Sequence, residues 1–221
     1  MPAVRSLFAE YLGTFLIVTT VLGAGHMVAS LEADPAVGLI MIAICVGAVL
    51  FGVISAFGPI YGAHFNPAVS LVFFLRRELS LSRLLSYTLA QALGAVSGAL
   101  VANLMFERQP LTLSSVERAG SGIWLGEFIA TFGLVLLILL LLAKAPQLVA
   151  PGVALWIVAG HVFTSSTSFA NPAVSLGRML SDAPSSISPG SMPGYLAMQL
   201  FGALAAFFVA KLFTEKKEEH V

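Results

Sequence analysis

Six stretches of this chain are apolar for long enough to cross a lipid bilayer, which takes about 20 residues of helix. They run roughly from 7 to 28, 37 to 57, 84 to 105, 122 to 143, 149 to 167 and 194 to 214. A backbone in hydrocarbon has no water to bond with, so segments of this length must satisfy their own polar groups as helices. The fold class predicted is therefore an all-α membrane protein. Composition agrees: 58% of the 221 residues are hydrophobic and 10% are charged, against about 25% charged in a soluble domain. Eleven basic residues balance eleven acidic ones, so the charge gives no reason to expect a nucleic-acid partner. Cys45 lies in an apolar run with no second cysteine to pair with, and reads as a packing residue. The N-terminal MPAVRSLFAEYLGTF leads straight into a stretch with a counterpart later in the chain, so it reads as a first span and not as a cleaved signal.

An even number of spans puts both ends on one side of the membrane. With the ends inside, the inner face holds Arg5, Arg76, Arg77, Arg83, Lys144, Lys211, Lys216 and Lys217, and the outer face Arg108, Arg118 and Arg178. That excess favours cytoplasmic termini, and the plasma (inner) membrane is the expected location.

Two further apolar segments, 66 to 76 (NPAVSLVFFLR) and 171 to 180 (NPAVSLGRML), are about half the length a span needs. They read as re-entrant half-helices. Non-helical backbone at membrane depth persists only where protein or a water-filled cavity satisfies it, so the loops feeding these segments are expected to line a pore.

The chain is also a duplication. AEYLGTFLIV at 9 to 18 recurs as GEFIATFGLV at 126 to 135, pairing Glu10 with Glu127, Thr14 with Thr131 and Phe15 with Phe132. Tyr87, Gln91, Gly94 and Ala95 recur as Tyr195, Gln199, Gly202 and Ala203, and NPAVSL recurs 105 residues on. Each half (6 to 108 and 122 to 214, within a single channel domain of 1 to 221) holds three spans. The second must therefore enter the membrane from the opposite face, giving inverted repeats about an axis in the membrane plane. The two half-helices then point at each other.

Asn is a good helix N-cap and proline suits the first helical position, so Asn66-Pro67-Ala68 and Asn171-Pro172-Ala173 are helix starts. If each Asn oxygen caps its own helix, its NH2 group is left free to donate into the lumen. Both positive helix ends face the same midpoint, which disfavours cations there.

One such tripeptide is weak evidence of anything; two, in matching places of a repeat, resemble the aquaporin or major intrinsic protein family. The resemblance rests on GAHFNPAVS (62 to 70), SFANPAVSLGR (168 to 178), Glu10 and Glu127, and covers the chain from about Phe8 to Phe213. It implies a right-handed six-helix bundle with two half-helices, one pore per subunit and a homotetramer. It implies no cofactor and no metal. Glu10, Glu127 and His64 would be scaffold, the glutamates accepting hydrogen bonds from the loop backbone ahead of each half-helix. The small residues Gly13, Gly94, Gly98, Ala95, Gly202 and Ala203 suit close helix crossings.

The resemblance also locates an outer constriction, and there this chain departs from the family. Most water and glycerol channels of the family carry arginine directly after the second Asn-Pro-Ala; here the residue is Val174. Water-selective members carry phenylalanine where the ungapped match places Val46. The fifth span supplies a third position, Ala159 without gaps, Gly160 or His161 with one or two, and Ser168 and Phe169 come from the loop. Two valines in place of a cation and a ring predict a wider, more apolar constriction suited to solutes larger than water: glycerol, urea, or neutral metalloid hydroxides such as arsenous acid. Arg178, one turn beyond Val174, is expected to be a solvated mouth residue, the alternative being that it partly replaces the missing charge.

Nothing suggests an enzyme: no phosphate-binding loop or dinucleotide fingerprint is present, and His26, His64, His161 and His220 are scattered. A secondary transporter shares inverted repeats and broken helices, but the spans offer no Asp, Lys or Arg on which ion coupling could rest. A water-selective channel and a structural junction protein are the other readings.

Overall fold

The computed structural model describes residues 2–214; Lys216, Lys217 and His220 lie outside the described residues. The elements are α1 (Pro2–Ser30), α2 (Pro35–Tyr61), α3 (Pro67–Leu75), α4 (Leu81–Met105), α5 (Ser121–Lys144), α6 (Val149–Phe163), α7 (Pro172–Arg178) and α8 (Met192–Thr214). A short 3-10 turn, Pro146–Leu148, leads into α6. Six spans are long and apolar enough to cross a membrane, the fifth being α6 together with the 3-10 turn that leads into it, while α3 and α7 are too short to do so.

Sequence sets most of the ends. Asp34 caps α2 by accepting from the amides of Ala36 and Val37, with Pro35 at the first position. Ser80 caps α4 through the amide of Arg83. At the other end of α2, Gly62 takes the left-handed conformation (φ 112°) that closes a helix and that a side chain would resist. The fifth span is shorter than the expected 149 to 167. Helix α6 stops at Phe163, and 164 to 167, expected within it, form a turn in which the Thr164 hydroxyl donates back to Gly160. The second half-helix likewise ends at Arg178 and not at 180.

The two halves pack alike. Helix α1 lies along α4, and α5 along α8. The crossings are close because glycine faces backbone: a Cβ on Gly98 would sit 2.7 Å from the Phe15 oxygen, and one on Gly202 3.0 Å from the Phe132 nitrogen. Gly13 serves a different purpose from the one expected, since the space of its missing side chain is filled by the Phe65 ring and not by a helix.

Burial is arranged for lipid. Large apolar side chains such as Phe8, Leu85, Leu89, Leu155 and Leu212 are exposed, while Glu10, Gln91, Glu127 and Gln199 are fully buried. An apolar exterior costs nothing in hydrocarbon, whereas a polar group there must find a partner inside the bundle. Cys45 belongs to the exterior: it is exposed on α2, which corrects its reading as a packing residue.

Candidate functional site

The site is built where the two half-helices meet. Asn66 and Asn171 are extended (φ −154° and −156°) and each is followed by proline at the first helical position. The Oδ1 of Asn66 accepts from the amide of Ala68 at 2.9 Å; that of Asn171 accepts from Ala173 at 3.0 Å and Val174 at 3.2 Å. The amide groups are not wholly free, in contrast to the expectation from sequence. Asn66 Nδ2 donates to the carbonyl of Ala170, and Asn171 Nδ2 to that of Phe65, both at 2.8 Å. Each NH2 thus uses one hydrogen to tie its half-helix to the opposite loop and retains one.

The loops need that support. Ala63 and Phe65 in the first, and Ser168 and Ala170 in the second, have φ between 49° and 51°, a left-handed conformation costing about 1–2 kcal/mol for a residue with a side chain. A buried carboxylate compensates in each half. Glu10 accepts from the amides of His64 and Phe65 and from Gln91 Nε2, all at 2.7 Å. Glu127 accepts from the amides of Phe169 at 2.8 Å and Ala170 at 3.0 Å, and from Gln199 Nε2 at 2.7 Å. The glutamine nitrogens also reach the hydroxyls of Ser70 and Ser175, the serines of the two NPAVS segments. Sequence reasoning found the glutamines only as repeat markers; a polar side chain in the middle of a span was the signal that each needed a buried partner.

A cavity runs past both asparagines. Toward one mouth it is bordered by His64 and Phe73, and toward the other by Val46, Val174, His161, Ser168, Phe169 and Arg178. Of the three fifth-span candidates, His161 faces the cavity. Gly160 is turned against Ser168, and neither it nor Ala159 borders the cavity. The Nδ1 of His161 bonds the carbonyl of Ile157 at 2.8 Å, so Nδ1 carries the proton in the neutral ring and Nε2 is left as an acceptor. Nε2 and the hydroxyl of Ser168 are both buried without a protein partner among the described residues. A long apolar wall (Ile17, Val21, Leu134, Val153 and others) faces these polar atoms.

Arg178 is not the solvated mouth residue expected. It is 2% exposed, its guanidinium carbon lies 3.2 Å from the centre of the Phe169 ring, and Nε donates to the Ser185 carbonyl. It borders both the central cavity and the vestibule beyond it, as does His161. Arg118, which sequence reading treated only as an outer-face charge, reaches the same place from the loop between α4 and α5. It donates to the carbonyls of Ser186 at 2.7 Å and Pro184 at 3.0 Å. Nothing local in the sequence marks Arg118, because the carbonyls it meets lie more than sixty residues away.

Inverted repeats, facing half-helices and a cavity between them define a membrane channel. The chain belongs to the major intrinsic protein family, whose sequence profile matches residues 1–158. It is similar to the aquaglyceroporin AqpS of Rhizobium meliloti, 45% identical over 202 residues, which is 91% of this chain and 87% of that one. A partial likeness joins it to a probable aquaporin, PIP2-7, of Oryza sativa: 38% identity over 99 residues, covering 43% and 34% of the two chains. In fold it matches the aquaglyceroporin of Plasmodium falciparum with a TM-score of 0.78, at 20% identity, over 96% of this chain and 97% of that one. The protein is an integral membrane channel that passes small neutral solutes and water without being an enzyme.

Proposed function

We propose that this channel passes neutral hydroxylated or amide solutes larger than water, a class that includes glycerol, urea and metalloid hydroxides such as arsenous acid. The observation that carries the reading is the pair Val46 and Val174, both bordering the cavity. Short apolar side chains there leave width that an arginine and a phenylalanine would fill. Across the lumen, a solute hydroxyl can donate to His161 Nε2 and accept from Ser168 or from the second N–H of either asparagine. Such a track replaces part of the hydration that a solute sheds on entering, while the apolar wall lets its carbon or metalloid face slide. The name of the Rhizobium meliloti relative supports the glycerol-like class.

The assembly that fits the family resemblance is a homotetramer with a pore in each subunit, held in the plasma membrane with both termini cytoplasmic. The preponderance of Lys and Arg on that side supports the orientation.

Proteoliposomes facing separate inward gradients of glycerol, urea and arsenous acid test the reading. Flux should rise linearly with the gradient and ignore protonophores. Saturation at low millimolar solute, or collapse with the proton gradient, would indicate an ion-coupled transporter; passage of water alone would indicate a water-selective pore.

A further inference from the structure

The two mouths of the cavity are built on the same plan with different chemistry. His64 and Phe169 hold equivalent places in the repeat, 105 residues apart, and so do Phe73 and Arg178. At the first mouth the His64 ring packs on the Phe73 ring with centroids 4.4 Å apart. At the second, the Phe169 ring carries the Arg178 guanidinium at 3.2 Å. Equivalent places in the repeat thus hold a ring-on-ring contact at one end and a cation on a ring at the other.

The cation is fixed there by a second one. Three consecutive carbonyls in the loop after α7 are divided between two arginines: Pro184 and Ser186 accept from Arg118, and Ser185 accepts from Arg178. The Arg118 guanidinium carbon lies 5.4 Å from the same Phe169 ring. Neither arginine has a carboxylate partner among the described residues, where the one ion pair joins Arg76 to Glu78. The Arg118 loop is itself laced to the loop after α7, Ser114 donating to Met179 and Ser188 to Val116. Two positive charges are therefore held side by side at the junction of vestibule and cavity, with no ion-pair partner among the described residues.

Like charges at close range repel, and burying one without a counter-ion is costly. Carbonyl dipoles and a ring face offset part of that cost but bring no full negative charge to neutralise the two cations. We infer that Arg178, positioned with Arg118, is the specificity-determining residue that excludes cations from this pore, one helical turn outward of Val174. The inference rests on the wide-pore reading above. It separates two duties: Val46 and Val174 set the width, and Arg178 sets the charge rule from the side of the path without narrowing it. Such a pore admits a neutral molecule and rejects a cation of the same shape and size.

Urea and guanidinium are nearly isosteric and differ by one charge, so they are suitable probes. Uptake of each, radiolabelled, is measured in proteoliposomes of the full chain with Arg178→Met, Arg178→Lys and Arg118→Met alongside wild type. Wild type should take up urea and hold guanidinium at the protein-free background. Arg178→Met should raise guanidinium uptake about tenfold, the scale of removing one poorly screened charge from a pore mouth, with urea changed by less than about twofold. Arg178→Lys should keep guanidinium at background. Guanidinium uptake in Arg178→Met no higher than wild type, or Arg178→Lys leaking as Arg178→Met does, would overturn the inference. If Arg178→Met does not reconstitute, Arg118→Met carries the test, a rise of about threefold supporting the inference and background uptake overturning it. A wild type that excludes urea would instead count against the wide-pore reading.

Discussion

The side-chain nitrogen of Asn66 donates to the carbonyl oxygen of Ala170 across the centre of the bundle, 2.8 Å away and 104 residues on in the chain. Its mirror image, Asn171 to Phe65, has the same length. Each asparagine therefore serves three functions with one amide: Oδ1 caps its own helix, one N–H holds the opposite loop, and the other N–H is left for the pore.

Replacing either asparagine by aspartate keeps the cap but removes both donors. In Asn66→Asp an unprotonated carboxylate would face the Ala170 carbonyl, acceptor against acceptor, at the midpoint. Solute flux in stopped-flow vesicle assays should fall roughly tenfold, the equivalent of one lost buried hydrogen bond with an orphaned partner, and Asn171→Asp should match it. Equal fluxes in wild type and both variants would mean that the lumen does not use these groups.

The glutamates make a prediction about stability. Glu127 gathers the amides of Phe169 and Ala170 and the side chain of Gln199 into one buried site. Glu127→Ala leaves three donors unsatisfied at about 1–3 kcal/mol each, and releases a loop whose Ser168 and Ala170 hold left-handed conformations. Thermal unfolding in detergent should show a marked drop in Tm, with Glu10→Ala comparable through His64, Phe65 and Gln91. An unaltered Tm in both would show that the loops keep their shape without the carboxylates.

Much of the fold was legible because the bilayer makes the rules few. Length and hydropathy give the six spans, and the repeated Glu, Asn-Pro-Ala and Gln markers give the inverted arrangement. What the expected spans misplaced was the end of α6. The turn at 164 to 167, Thr-Ser-Ser-Thr, is polar and bonds as a loop, the Thr164 hydroxyl donating to Gly160, and an expected span drawn through to 167 runs past the last apolar residue of the helix, Phe163. The register of the fifth-span candidates depends on that end, which is why spacing alone left Ala159, Gly160 and His161 open. Arg178 was visible as a charge one turn past Val174, but the direction of its guanidinium is set by Ser185 and Phe169 together with Arg118. No spacing rule links those four residues, whereas the pairing of Phe73 with Arg178 could be read directly from the two NPAVSL segments.

The most direct test of the wide-pore account is the ratio of glycerol or arsenous acid permeability to water permeability, measured in the same vesicles for wild type and Val174→Arg. An arginine at 174 would fill width between Val46 and His161 and add donors that water can use. The account predicts a wild type that passes the larger solute, and a variant in which that flux falls at least about tenfold, the scale of a barrier raised by roughly 1.4 kcal/mol, while water changes much less. A large-solute flux unaffected by the arginine, or absent from wild type, would contradict it.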